Sequence, residues 1–180
     1  MARASCYIEK GMKLNLGSGK ERFDGFTNVD LYDTTADIKS DICNVPLEDG
    51  CASEIKCIQV IEHVPYNKSE AMFKEMYRLL EVGGFADVET PDIDVVCHNI
   101  LKEGLQDKWI YNLVGEYYRP WDKDRYHDWE HNAASIHRNP WNEERVRRIA
   151  EPLGFKVERK DWNDSIYKCE ENLYVRLTKV

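Results

Sequence analysis

The chain has 180 residues, 42% of them hydrophobic and 32% charged, a balance that fits one globular domain around a single core. No apolar run approaches the length needed to cross a bilayer, which excludes a spanning helix. A formal charge of -8 argues against non-specific nucleic-acid binding, which depends on Lys and Arg neutralising phosphates. Lys13 to Leu16 reads as a strand that stops at the tight loop Gly17-Ser18-Gly19. Gly25 to Asp30 reads as a second strand closed by an acid, and the β-branched run Ile55 to Ile61 as a buried central strand. Asn67, with Glu70 three residues on, predicts a capped helix carrying Met72, Phe73, Met76, Leu79 and Leu80, ended by Gly83-Gly84. Phe85 to Glu89 then alternates as a strand, and Asp92 caps a helix bearing Ile93, Val96, Ile100 and Leu101. Asn139-Pro140-Trp141 reads as a helix start with Asn139 as cap. Val146, Ile149, Ala150 and Leu153 form a stripe ended by Gly154, and Phe155 to Lys160 and Leu173 to Thr178 are closing strands.

Strands alternating with helices predict an α/β fold: a Rossmann-like, mostly parallel sheet with helices on both faces. One domain is expected over 1–180, with 93–141 as an aromatic-rich helical insertion on the substrate side, before the last two strands. Ligands of such sheets bind at the carboxyl ends of the strands, which groups Gly17, Asp30, Asp41, Glu62 and Asp92 around one crevice. Met1 to Lys10 lacks the apolar stretch of a secretory signal, so a cytoplasmic protein is expected. The six cysteines (Cys6, Cys43, Cys51, Cys57, Cys97 and Cys169) form no C-x-x-C pair and read as buried free thiols. Met1 to Gly11 reads as an extension that shields a bare sheet face or as a remnant foreign to the domain.

Gly17 and Gly19 let the backbone approach a ligand, and Asp30 offers a carboxylate to both hydroxyls of a ribose. Arg22 stands where a dinucleotide-binding G-x-G-x-x-G needs its third glycine. Only Lys20 to Gly25 separate the loop from the second strand, whereas a parallel crossover usually takes about a dozen residues or more. The helix N-terminus that would hold a pyrophosphate is therefore reduced or missing. S-adenosylmethionine carries no phosphate and fits the short loop.

The stretch Lys13 to Asp94 resembles the compact type-11-like group of class I S-adenosylmethionine-dependent methyltransferases. The resemblance rests on Leu14-Asn15-Leu16-Gly17-Ser18-Gly19, then Gly25-Phe26-Thr27-Asn28-Val29-Asp30, Asp37-Ile38 and Asp41-Ile42. Pro46-Leu47 (reversed relative to the family's usual order), Glu62-His63, Gly83-Gly84 and Pro91-Asp92 complete the series, and Leu153-Gly154-Phe155 extends it. It implies cofactor contacts along Asn15, Gly17, Ser18 and Gly19, a ribose on Asp30 and an adenine packed on Leu31. It also implies an adenine amino group on Asp41, cover from Ile42, and Ile61, Glu62 and His63 beneath the methyl donor. Asp41 as a plain turn cap and Leu31 as ordinary core are the competing explanations.

Methyl transfer demands alignment of the acceptor and, for some acceptors, removal of a proton. His63 is the first candidate base, against a purely structural histidine; Asp92 is a second, against a helix cap. His137 corresponds to a histidine often found before the last helix of the resembled family. Trp109, Tyr111, Tyr117, Tyr118, Trp121, Tyr126, Trp129 and Trp141 suit a substrate pocket or the packing of the insertion. His127 and His131 stand four apart but lack the acid of H-E-x-x-H, so no metal is expected. The expected acceptor is an oxygen or nitrogen of a small molecule or saccharide, not a nucleic acid. A binding-only partner subunit, or a methyltransferase acting on protein or nucleic acid, are the alternatives.

Overall fold

The computed structural model describes residues 11–115 and 136–180. Their seven strands are β1 (Met12–Leu16), β2 (Thr27–Asp30), β3 (Ile38–Lys39), β4 (Ala52–Ile58), β5 (Leu80–Pro91), β6 (Phe155–Arg159) and β7 (Asn172–Lys179). They form one sheet in the order β3-β2-β1-β4-β5-β7-β6. The first five run parallel, and β7 is antiparallel to both its neighbours. The described helices are α1 (Ser69–Leu79), α2 (Ile93–Glu103), α3 (Asp107–Val114) and α4 (Glu143–Ala150).

Side-chain alternation along the strands gives the sheet two unlike faces. One row runs Leu14–Ile55–Ala86–Leu177 in register across β1, β4, β5 and β7. These side chains join Met72, Phe73, Met76 and Leu79 of α1 and Val146 and Ala150 of α4 in the main core. The adjacent row runs Asn15–Lys56–Asp87–Arg176 on the opposite face. There Arg176 grips Asp87 through two 2.8 Å hydrogen bonds, Lys13 pairs with Glu54 at 2.7 Å, and Lys56 lies 4.2 Å from the Phe23 ring. The expected cover of helices on both faces is therefore corrected among the described residues. The helices packed along the sheet, α1 and α4, share the apolar face, because the strands present mostly charged and polar side chains on the other.

Several local expectations also shift. Pro65 opens a 3-10 turn over Tyr66–Lys68, which absorbs Asn67 into helical backbone; α1 starts at Ser69 behind Lys68, with no side-chain cap. That helix ends at Leu79, not at the glycine pair, and β5 begins at once. Gly84 is a strand residue: a Cβ there would lie 3.0–3.1 Å from the carbonyl oxygens of Glu81, Ala52 and Ser53, so the glycine permits the close approach of β4. The cap of α4 is Asn142, accepting from Arg145 N, while Asn139 is buried and donates to Ser69 Oγ at 2.9 Å. Asp92 does cap α2, although only Val96 of the expected stripe is buried there. No helix separates β1 from β2, as the six-residue spacing predicts.

Of the described cysteines, Cys51 and Cys57 are buried, Cys43 and Cys169 half-buried and Cys97 exposed, all free. Trp109 and Trp141 are packed inside the protein. Tyr117, Tyr118, Trp121, Tyr126, His127, Asp128, Trp129 and His131 lie outside the described residues, as does Cys6. Among the described residues no helix is long and apolar enough to cross a membrane.

Candidate active site

Strand order reverses between β1 and β4, and at that switch point the carboxyl ends of β1, β2 and β4 border an open cleft of ≈ 960 Å³. Gly17 and Gly19 line it from the loop after β1, Asp30 and Leu31 from the end of β2, and Asp41 and Ile42 from the turn after β3. Val60 and His63 line it from the segment after β4. Gln59 turns that segment out of the strand with a φ of 56°, which is why β4 stops three residues short of Ile61.

Gly17 has a φ of +68°, and a Cβ there would lie 2.5 Å from Val60 Cγ1. Backbone conformation and space thus both require glycine. Gly17→Ala is expected to destabilise the protein by about 1–3 kcal/mol through strain and overpacking, read from urea unfolding. An unchanged midpoint would show that the loop and Val60 separate freely.

Asp30, 8% exposed, organises the rim. Its Oδ2 accepts from Gly19 N at 2.8 Å, and its Oδ1 accepts from Tyr32 N and Asp33 N at 2.7 and 2.8 Å. One carboxylate therefore fixes both the glycine loop and the turn after β2 while keeping a lone pair for a ligand. Arg22, the residue in place of the third glycine, ties the same loop to Asp33 at 2.7 Å and to the Gly19 carbonyl at 2.8 Å. The Thr35 backbone amide, then Arg22, hold the Asp33 carboxyl down to about 2.

Leu31 is 41% exposed at the cleft edge, so it is not a core residue. Asp41 accepts from Cys43 N and pairs with Lys68 Nζ at 2.9 Å. Burial works to raise its carboxyl, but the bonds from Lys68 and Cys43 outweigh this and bring it below its ordinary value. Four residues of the implied cofactor set, Asn15, Ser18, Ile61 and Glu62, sit behind the lining. Asn15 donates to the Glu21 carbonyl and to Asn28 Oδ1, bracing the loop from below. Ser18 is buried with an unpartnered hydroxyl, and Ile61 is wholly buried.

The three candidate bases are not together. Asp92 is buried, and its oxygens are taken by Arg159 at 2.9 Å and Asp94 N at 3.1 Å, away from the cleft. His63 and His137 do meet, their ring centroids 5.0 Å apart. His63 Nδ1 lies 3.2 Å from the Ile136 carbonyl and His137 Nδ1 2.9 Å from the Asn112 carbonyl. A carbonyl only accepts, so each Nδ1 carries the proton and each Nε2 a lone pair. Burial, then the neighbouring His137, push His63 down to about 4, and burial lowers His137 as well. Glu62 lies behind His63, accepts from Thr90 Oγ1 at 2.9 Å through Oε2, and is raised to about 8 by burial.

The sequence reading missed Val60, Lys68 and Arg138, all of which line the cleft. Val60 sits inside a run read as strand; Arg138 arrives from 78 positions beyond Val60 with no local motif. Lys68 stood inside the stretch read as the start of a capped helix, and nothing in its spacing links it to Asp41.

A mostly parallel seven-stranded sheet with the switch between β1 and β4, a glycine-lined cleft there and an antiparallel β7 is the arrangement typical of the methyltransferase fold. Residues 18–86 match the family model described as a methyltransferase domain. Similar solved structures share the fold at low identity. One is a methyltransferase of Thermotoga maritima, described as a possible histamine N-methyltransferase, at 16% identity and TM-score 0.59, covering 95% of this chain and 83% of that one. Another is an S-adenosylmethionine-dependent methyltransferase of Archaeoglobus fulgidus, at 15% and 0.57, covering 96% and 88%. A third is the 1,6-didemethyltoxoflavin N1-methyltransferase of Burkholderia thailandensis with its substrate and S-adenosylhomocysteine bound, at 10% and 0.55, covering 96% and 72%. No curated protein matches the chain.

Proposed function

We propose that the cleft at the β1–β4 switch holds S-adenosylmethionine and delivers its methyl group to an oxygen or nitrogen of a small molecule or saccharide. The observation that carries this reading is the pairing of Gly17, shaped so that only backbone faces the ligand, with the Asp30 carboxylate at the next strand tip. The bound cofactor supplies an electrophilic methyl carbon beside a sulfonium. Gly17 and Gly19 receive the methionine end, Asp30 the ribose hydroxyls, and Leu31 and Ile42 the adenine faces. Asp41, already oriented by Lys68, accepts from the adenine amino group. Asn15 and Ser18 act from beneath the loop.

At ≈ 960 Å³ the cleft stands at the upper end of small-molecule pockets, roughly 300–1,000 Å³, which leaves room for an acceptor beside the cofactor. His63 and Arg138 lie on that side. The segment 93–141 belongs to the acceptor side as well: its end returns as an antiparallel bridge from Ile136 to Gly115, and Arg138 N donates to the Glu62 carbonyl. Small-molecule methylation is favoured over nucleic acid by the charge of -8. The Burkholderia thailandensis enzyme of the same fold is an N1-methyltransferase of 1,6-didemethyltoxoflavin.

Calorimetry with S-adenosylmethionine tests the cleft, and release of S-adenosylhomocysteine with a panel of amines, phenols and sugars tests turnover. Saturable one-to-one binding with acceptor-dependent turnover is expected. No binding at millimolar cofactor would defeat the reading; binding without turnover across the panel and in the presence of partner proteins would identify a binding-only subunit.

A further inference from the structure

We infer that Glu62, His63 and His137 form a binding site for a divalent transition-metal ion in the wall of the cleft. Their ligand atoms lie within 4.8 Å of one another, and Glu62 Oε1 is 3.8 Å from His63 Nε2. Ligand atoms held about 2.1 Å from one ion sit roughly 3–3.5 Å apart, so small side-chain rotations close the triad. The atoms offered are the ones left over. Glu62 Oε1 is buried with no hydrogen-bond partner, an arrangement that costs free energy unless something else occupies that corner.

Each ligand is also held from behind, as metal ligands commonly are. Thr90 Oγ1 engages the other oxygen of Glu62, the Ile136 carbonyl engages His63 Nδ1, and the Asn112 carbonyl engages His137 Nδ1. These three bonds fix both imidazoles in the tautomer whose Nε2 can coordinate, and they aim the carboxylate with one oxygen free. Glu62 and His137 border a void of ≈ 10 Å³, the space of about one water molecule or ion, while His63 borders the large cleft. Two imidazole nitrogens and one carboxylate oxygen suit Zn²⁺, Fe²⁺ or Co²⁺ better than Mg²⁺ or Ca²⁺. Three protein ligands leave open positions, and a donor oxygen of the acceptor entering from the His63 side would fill one. That last point rests on the methyl-transfer reading; the metal site itself does not.

The test uses the full chain freed of metal with a chelator and titrated with CoCl₂, followed by visible absorption, with Zn²⁺ competition. One equivalent is expected, with weak ligand-field bands of nitrogen and oxygen ligands and no thiolate charge-transfer band. Glu62→Gln and His137→Gln should each weaken binding at least about tenfold, while Asp30→Ala should retain it and lose S-adenosylmethionine. Should either triad variant fail to fold, the wild-type stoichiometry and spectrum and the other variant decide. Absence of binding by the wild type, a thiolate band, or wild-type affinity in both triad variants would overturn the assignment. Cobalt binding without S-adenosylmethionine binding would defeat the cofactor reading and leave the metal site standing.

Discussion

Asp30→Ala is expected to lower S-adenosylmethionine affinity about 100-fold, which corresponds to ~2.7 kcal/mol, and to lower folding stability by about 2 kcal/mol. Two losses combine. The proposed ribose site loses its acceptor, and the amides of Gly19, Tyr32 and Asp33 lose the carboxylate that now binds all three. Asp30→Asn separates them. Its single oxygen can still accept from Tyr32 N and Asp33 N, but its NH₂ group would then face the Gly19 amide, donor against donor. Stability should recover most of its loss while cofactor affinity stays low. Calorimetry and thermal melts on the two variants provide the check, and alanine affinity within about threefold of wild type would move the ribose elsewhere.

Trp141→Ala should be more damaging to the fold, destabilising it by about 3–5 kcal/mol as deeply buried aromatic truncations do. Trp141 is wholly buried, meets Phe73 edge-on at 5.6 Å and lies under the Arg145 guanidinium at 4.1 Å. Its indole Nε1 donates to the Ile61 carbonyl at 3.0 Å, and its backbone bridges Asp92. It therefore ties the end of β5 to the segment that carries Glu62 and His63. Trp141→Phe preserves most of the apolar packing but leaves the Ile61 carbonyl unpaired, an expected cost of about 1–2 kcal/mol. Urea denaturation of the three proteins measures both; alanine costing under about 1 kcal/mol would mean that the core collapses around the hole.

The parts legible in the sequence were those set by short-range chemistry. The glycine loop, Asp30, the strand alternation and the missing helix are all written within about twenty consecutive residues. The Asp92 cap was legible for the same reason. What escaped depends on contacts across the chain. Asn139 looked like a helix cap because its neighbour is proline, yet Ser69, seventy positions away, takes its side chain. Gly83-Gly84 looked like a helix stop, whereas Gly84 answers to carbonyls on β4. The meeting of His63 with His137 joins a strand tip to a returning loop, and no spacing rule encodes it.

The charged sheet face limits how this domain can change. Lengthening the Lys20–Gly25 loop into a standard crossover helix would press an apolar surface onto Lys13, Glu54 and Lys56, whose ion pair and ring contacts now satisfy them. Neither alteration is tolerable alone: the inserted helix needs aliphatic side chains beneath it, and aliphatic side chains without the helix would lie open to water. Loop length and strand composition are thus interlocked, and a graft at this position has to replace both together.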